Sequence, residues 1–319
     1  MSLRTFAKRV LPYMPSWLQR KLRQKLEKER LAQHAARKAR TTVSVASVLA
    51  QLKQMNLSRD LIVHGSISNI GKLDQPVTTL VDSWLASLDL SQQTLLVPAL
   101  PYNTTMKEYL DSSPNFDVRS ARNAMGAIST IIMAKAGALR SVHPTHSVVA
   151  LGARAANYTS THHQDGTPFG PASPFWHLTK HRGQILMIGV GLNSVTCFHV
   201  YEDLLAEHLP FPVYLAETFN VPCLDTNGVA LTVNTRCHNP KQSVIRDCER
   251  ARPWLEAAGA IHTFKLGESE LSVIDAYKFT QTLLERLLRG ESIYGKVGLN
   301  ADQKAAVKQA LLKLEQASA

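Results

Sequence analysis

Residues 184–203, QILMIGVGLNSVTCFHVYED, constrain this chain more than any other stretch. Ile185 to Val190 is a short continuous apolar run, the pattern of a buried strand, and Gly189 and Gly191 bracket its end. Asn193 or Ser194 stands where a helix cap belongs. From Val195 to about Glu207 the apolar positions Val195, Phe198, Tyr201 and Leu205 recur at helical spacing. That spacing turns them toward a core and sets Thr196, His199, Glu202 and Asp203 on another face. A buried strand feeding a helix through a glycine turn implies an α/β fold, in which ligands gather at the carboxyl ends of strands.

His199 and Glu202, three residues apart on one helix, can meet side by side. The pair reads two ways. It is an ion pair on a solvated helix face, which is common and contributes little. Or it is a base and its orienting carboxylate: a carboxylate bonded to one ring nitrogen fixes the tautomer and leaves the other nitrogen as a proton acceptor near neutral pH.

With 319 residues, 45% of them apolar, the chain can bury a full core. Its apolar runs fall well short of the roughly 20 residues a membrane span requires, and no apolar segment with a cleavage site follows Met1, so a cytoplasmic location is expected. Cys197, Cys223, Cys237 and Cys248 form no CxxC pair and are expected to be free thiols without a structural metal. The net charge of +11 is local. Residues 1–40 hold 12 of the 36 Lys and Arg and two of the 25 Asp and Glu, leaving 24 basic and 23 acidic residues beyond. That distribution argues against a nucleic-acid partner for the body of the protein.

The first 40 residues combine this charge with Phe6, Tyr13, Trp17, Leu18 and Leu22, and Pro12 and Pro15 limit them to short helices. Such an arm suits peripheral contact with an anionic membrane face, or a solvated or partner-bound role. Residues 42–55 read as a helix. LIVHGSISNIGKL, 61–73, reads as a buried strand followed by a polar turn, with the next helix at Val77 to Leu88; phosphates can be held at such a corner, but on these residues alone a plain capped turn is the better reading. TLLVPAL, 94–100, is a further strand, 111–122 a loop, and Met125 to Lys135 a helix. His143 and His146 flank Pro144, which makes a helical metal pair improbable and suits a hydrogen-bonded buried turn. His162, His163 and Asp165 precede the glycine- and proline-rich loop GTPFGPASPFWHL. Strand-like runs at 212–216 and 229–233, helices at 244–257 and 275–288, and an amphipathic helix from Asn300 complete the reading. The last helix can close the fold or a homodimer.

The ordered segments LIVHGSISNIG, MGAIST, RSVHPTHSVVALG, GPASPFWHL and IGVGLNSVTCFHVYE resemble the aminoglycoside 3-N-acetyltransferase family. The resemblance implies layered helices around a mixed central sheet. The resemblance covers about 45 to 288, and together with the charge and helix patterns it leaves a basic arm (1–41), a single acetyltransferase-like catalytic domain (42–290) and a C-terminal helix (291–319). It implies acetyl-CoA as acyl donor, an amine as acceptor and no metal. His199 is then the general base and Glu202 its orienting residue. His64, Gly65, Ser66, Ile67, Ser68 and Ser141 are the candidate cofactor contacts; His162, Asp165 and Thr196 are the candidate acceptor contacts. Backbone N–H groups near Ser66 to Ser68, or the Thr196 hydroxyl, stand where an oxyanion donor is wanted. Cys197, two residues from His199, faces away and packs.

Three features depart from the family: little negative charge in STHHQDG, the basic arm, and HGS in place of HSS. They favour an amino sugar of surface-polysaccharide or related biosynthesis as acceptor. The alternative is an aminoglycoside, with antibiotic resistance as the outcome. A non-catalytic membrane- or nucleic-acid-docking protein on the same fold is the alternative of another class.

Overall fold

The computed structural model describes residues 41–318 and, ahead of them, only single positions at 22, 25, 28, 29, 32, 36 and 40. The arm expected at 1–41 therefore lies almost wholly outside the described residues. The strands that matter to the site are β1 (Leu61–Gly65), β2 (Thr94–Pro98), β3 (Leu139–Arg140), β4 (Val148–Gly152), β5 (Gln184–Ile188), β6 (Tyr214–Leu224), β7 (Ala230–His238), β8 (Ile261–Leu266) and β9 (Ser269–Asp275). The helices that frame the site are α1 (Val45–Gln54), α2 (Ile67–Ile70), α3 (Val77–Leu85), α4 (Ala127–Met133), α5 (Pro174–Lys180), α6 (Phe198–Leu204), α7 (Ala276–Leu288) and α8 (Ala301–Ala317).

Seven strands make one mixed sheet in the order β8, β9, β5, β1, β2, β4, β3. At its centre β1 runs parallel to both β2 and β5, while the outer pairs are antiparallel. The register pairs Leu61 with Gln184 and Gly65 with Ile188, so the carboxyl ends of β1 and β5 finish side by side. That register joins the HGSIS corner to the turn before α6.

Because successive side chains of a strand point to opposite faces, each central strand feeds two cores. Ile62, Ile185 and Met187 pack beneath α5, α6, α7 and α8; Leu61, Val63, Leu186 and Ile188 pack beneath α1, α3 and α4. Both faces are covered, which is why β1 and β5 read as continuous apolar runs rather than alternating ones. The helix from Asn300 belongs to the first core. Asn300 caps α8 in a reciprocal box with Gln303, and Val307, Ala310 and Leu314 are buried.

Several expectations shift. Thr42–Val43 pairs with Lys72–Leu73, and the helix expected at 42–55 starts only at Val45, capped by Ser44. The polar corner opens first onto the four-residue α2. The loop GTPFGPASPFWHL ends in α5, whose Ser173 cap accepts the Trp176 N–H. The runs at 212–216 and 229–233 are the ends of one long hairpin, β6–β7, which joins Phe116–Asp117 in a separate three-stranded sheet. Residues 244–257 are not one helix: Pro240–Ile245 is helical, Arg246 and Asp247 are extended, and the chain resumes through Cys248–Ala251 to Arg252–Ala257. The hairpin β8–β9, which turns through Gly267 at φ +59°, stood outside the sequence reading.

Candidate active site

The turn after β5 is where the geometry becomes specific. Gly189 adopts φ +64°, and a Cβ there would stand 2.7 Å from the Ser66 carbonyl oxygen, so only glycine fits without strain. Asn69 Nδ2 donates to the Gly189 carbonyl at 2.6 Å, and the Ser66 N–H donates to Ile188 at 2.8 Å. These bonds lock the HGSIS corner to the turn. Neither expected cap is used: Asn193 Oδ1 instead accepts the Cys248 N–H, and Cys197 occupies the N-cap position of α6 with no side-chain bond. α6 starts at Phe198, three residues later than the periodicity placed it.

α6 is not a surface helix. Phe198, His199, Val200, Tyr201 and Glu202 are all buried, with Phe198 edge-on to Phe279 of α7 at 4.6 Å. The solvated ion-pair reading of His199 and Glu202 therefore fails on burial: Glu202 is 0% exposed and His199 7%. His199 Nδ1 lies 2.6 Å from Glu202 Oε2. A carboxylate only accepts, so Nδ1 carries the proton and Nε2 has the free lone pair. The Tyr294 hydroxyl donates to Glu202 Oε1 at 2.7 Å, so both carboxylate oxygens are committed. Burial raises the pKa of Glu202, and Arg246, His238 and Tyr294 pull it back. Burial, then the charge of Arg246 and the neighbouring His146, hold His199 well below its ordinary value, so the ring is neutral and able to accept at neutral pH.

Remote segments complete the shell. The His238 ring lies against His199 with centroids 4.0 Å apart, Phe169 at 4.7 Å and His146 at 6.5 Å. Tyr214 stacks on the far side of His238 and donates to Asp203 Oδ1 at 2.8 Å. Arg246 Nη1 sits 2.9 Å from Nε2 and 3.3 Å from Nδ1 of His199. A donor on the in-plane lone pair of Nε2 would stand far from Nδ1, because the two nitrogens point away from each other. Near-equal contact to both puts the guanidinium over the ring face and leaves the lone pair open.

On the other side of α6, Thr196 Oγ1 approaches His64 Nε2 at 3.5 Å, the outer limit of a hydrogen bond. His64 is the next-to-last residue of β1 and is brought down to about 4 by burial, so it is neutral. Ser66 and Ser68 hydroxyls lie 3.2 Å apart in the corner. At Gly65 a Cβ would come within 2.7 Å of Ile128 Cδ1 of α4, the movable end of a flexible side chain. With α2 only one turn long, the corner has no helix dipole to speak of, and anion binding there falls to individual N–H and O–H groups.

Two candidates, Ser141 and His162, lie inside the fold, bonded to each other. The Ser141 hydroxyl accepts the Val148 N–H and bonds His162 Nδ1, each at 2.9 Å. His162 spends its other nitrogen on the Pro168 carbonyl at 2.9 Å. Both residues are fully buried, with these polar atoms bonded to each other and to the backbone. They tie the loop before α5 to β4. His143 does the same for the turn at Pro144: its Nδ1 accepts the N–H groups of Thr145 and His146. Asp165 is half-buried and accepts the Ala172 N–H at 2.6 Å, a loop-ordering bond. Cys197 packs as expected, its thiol pushed up to about 12 by burial.

His199, Glu202 and His238 offer ligand atoms within 4.8 Å of one another. Glu202 already accepts from His199 and Tyr294, and a guanidinium lies over the His199 ring; His199 and Glu202 form a hydrogen-bonded pair that His238 touches only through its ring. Arg246, His238, Tyr294 and Phe169 were not legible as site residues: each lies in a segment whose local pattern says only strand end, helix end or loop.

The sequence profile described as Aminoglycoside 3-N-acetyltransferase matches residues 62–287. Aminoglycoside N(3)-acetyltransferase III of Serratia marcescens is 29% identical over 199 residues, 58% of this chain and 72% of that protein. Among solved structures, AAC-VIa bound to sisomicin superposes with a TM-score of 0.61 at 26% identity, covering 77% of this chain and 98% of the other. AAC-IIIb in a binary complex with CoASH shares the fold, with a TM-score of 0.61 at 21% identity over 78% of this chain and 97% of that one. With a profile match running from β1 to the end of α7 and the paired His199 and Glu202 in place, the chain belongs to the aminoglycoside 3-N-acetyltransferase family.

Proposed function

We propose that this chain transfers the acetyl group of acetyl-CoA to an amine on an amino sugar by direct attack. The acceptor nitrogen adds to the thioester carbonyl as its proton passes to Nε2 of His199. The tetrahedral intermediate then expels the CoA sulfur, which takes that proton from the imidazolium. The observation that carries this reading is the buried series Tyr294–Glu202–His199, which fixes the tautomer and points an unshared lone pair away from the carboxylate. Glu202 also stabilises the imidazolium formed in the step, in a site where little water screens the charges.

We assign the donor to the corner made by His64, Gly65, Ser66, Ile67 and Ser68, with Thr196 between it and His199 as the nearest side-chain hydroxyl for the oxyanion. The name of the Serratia marcescens relative, aminoglycoside N(3)-acetyltransferase III, and the sisomicin bound to AAC-VIa support an aminoglycoside-type acceptor. They lend nothing to the surface-polysaccharide sugar favoured from sequence. Among the described residues no helix is long and apolar enough to cross a membrane.

The test is thiol release from acetyl-CoA over a panel of amino sugars and aminoglycosides, sisomicin included. His199→Ala is expected to lose roughly 10²-fold or more in kcat. A variant that keeps wild-type turnover removes His199 from the mechanism.

A further inference from the structure

The chain interrupts a helical course to place Arg246. Pro240–Ile245 is helical, Arg246 is extended at φ −64° and ψ 127°, and the turns resume at Cys248. Three backbone bonds hold the break: the Arg246 N–H donates to the Gln242 carbonyl at 3.1 Å, the Asp247 N–H to the Ile293 carbonyl at 2.9 Å, and the Cys248 N–H to Asn193 Oδ1 at 3.1 Å. Ile293 precedes Tyr294, whose hydroxyl holds Glu202, and Asn193 belongs to the turn before α6. The segments that fix the His199–Glu202 pair therefore also fix the backbone that carries this guanidinium.

Arg246 Nη1 lies 2.9 Å from Nε2 and 3.3 Å from Nδ1 of His199, against the ring face. A permanent charge at this range acts on both members of the pair. It opposes a second proton on the imidazole, adding to burial, and it favours the ionised form of Glu202, opposing burial. The other titratable groups that face the pair are almost all uncharged at neutral pH. His238 of β7 and His146 of the turn before β4 are held neutral by burial. Burial also keeps the Tyr201 and Tyr294 hydroxyls protonated, and the Cys248 thiol is pushed up to about 12. Asp203 of α6, brought up to about 6 by burial, accepts from Tyr214. Of the two groups that carry charge, Asp203 and Arg246, it is Arg246 that touches the ring.

We infer that Arg246 is a positioning residue for the transfer: its guanidinium, set against the face of His199, keeps the imidazole neutral and Glu202 charged until the acceptor nitrogen gives up its proton. This rests on the reading of His199 as base. Without the cation, a histidine bonded to a carboxylate can hold protons on both ring nitrogens before the acceptor arrives, and no lone pair is then left to receive one. The same charge serves the second half of the reaction. Once Nε2 has taken the acceptor's proton, the guanidinium beside the imidazolium makes it a stronger acid, so the Nε2–H bond breaks in favour of the departing CoA sulfur, which leaves as the thiol.

The experiment follows kcat/KM for thiol release with acetyl-CoA and sisomicin from about pH 5.5 to about pH 9, in the wild-type chain and in Arg246→Gln, Arg246→Met and Arg246→Lys. The acceptor amine titrates alike in all four, so the difference between profiles reads the base. Removing the charge with Gln or Met is expected to move the acid limb up by about one unit or more, a loss of about tenfold or more at acid pH that is regained at alkaline pH. Lys keeps the charge and holds the limb near its wild-type position. Nitrogen NMR of labelled histidine without substrates reads the same quantity directly: His199 takes up its second proton at a higher pH in the Gln and Met variants than in wild type or Lys. A loss equal at every pH, with an unmoved His199 titration in a folded Gln or Met variant, reduces Arg246 to a packing residue and overturns the inference while leaving the transfer reaction intact. Absence of thiol release from wild type with any amine of the panel overturns the reaction instead, and the NMR titration alone then decides the part played by Arg246.

Discussion

Around His199 each partner has a distinct task, and the tasks separate on mutation. Glu202 holds the tautomer and Tyr294 holds Glu202. Glu202→Gln brings an amide that can donate to the ring nitrogen it should accept from, which favours the tautomer with the proton on Nε2. The expected loss in kcat is roughly 10²-fold or more, with KM for acetyl-CoA little changed. Tyr294→Phe removes one neutral donor from a carboxylate that keeps its histidine, so a smaller loss, about tenfold, is expected. Steady-state kinetics on the two variants checks the order; a Tyr294→Phe loss as large as that of Glu202→Gln would show that Glu202 needs both bonds. The pair itself was legible, since a three-residue spacing on a helix is a local fact. Tyr294, 92 residues further on, was not. Nothing in ESIYGK distinguishes its tyrosine from any other at the edge of a core.

Among the elements, the turn between β5 and α6 bears the largest structural constraint. Gly189→Ala must either hold an L-residue at φ +64° or open the contact with Ser66, and both disturb the corner assigned to the donor. A destabilisation of about 1–3 kcal/mol is expected, read as a lowered Tm, together with a raised KM for acetyl-CoA and a kcat reduced less. A KM that does not move would detach the corner from the donor. The glycine signal was visible in the sequence; the partner that makes it obligatory, the Ser66 carbonyl, was not, because it comes from β1 through the parallel register. The break of the 244–257 helix at Arg246 has the same character: apolar spacing suggested continuity, but the chain runs extended there and turns a cation toward α6.

For the whole molecule, the interior holds an unusual set of neutral histidines. Burial brings His64 to about 4, and His146 and His162 to about 3, while His143, His199 and His238 are also held well down. Their pKa values are lower folded than unfolded, so the unfolded chain takes up more protons below pH 6.5. Stability is therefore full above about pH 6.5 and is lost as pH falls toward the folded values, each such histidine steepening the loss by up to about 1.4 kcal/mol per pH unit. Urea midpoints between pH 8 and pH 5 should fall with acid, and a flat profile would show that these rings reach water. The sequence by itself determined the α/β class, the three central strands β1, β2 and β5, the start of α8 at Asn300 and the pairing of His199 with Glu202, because each follows from periodicity or spacing within one element. The tertiary structure alone decided that this pair is buried, that Ser141 and His162 are spent on each other, and that Arg246, His238 and Tyr294 surround the base. Those outcomes depend on which distant segments a mixed sheet brings together, and a local pattern specifies what an element is without specifying what it will touch.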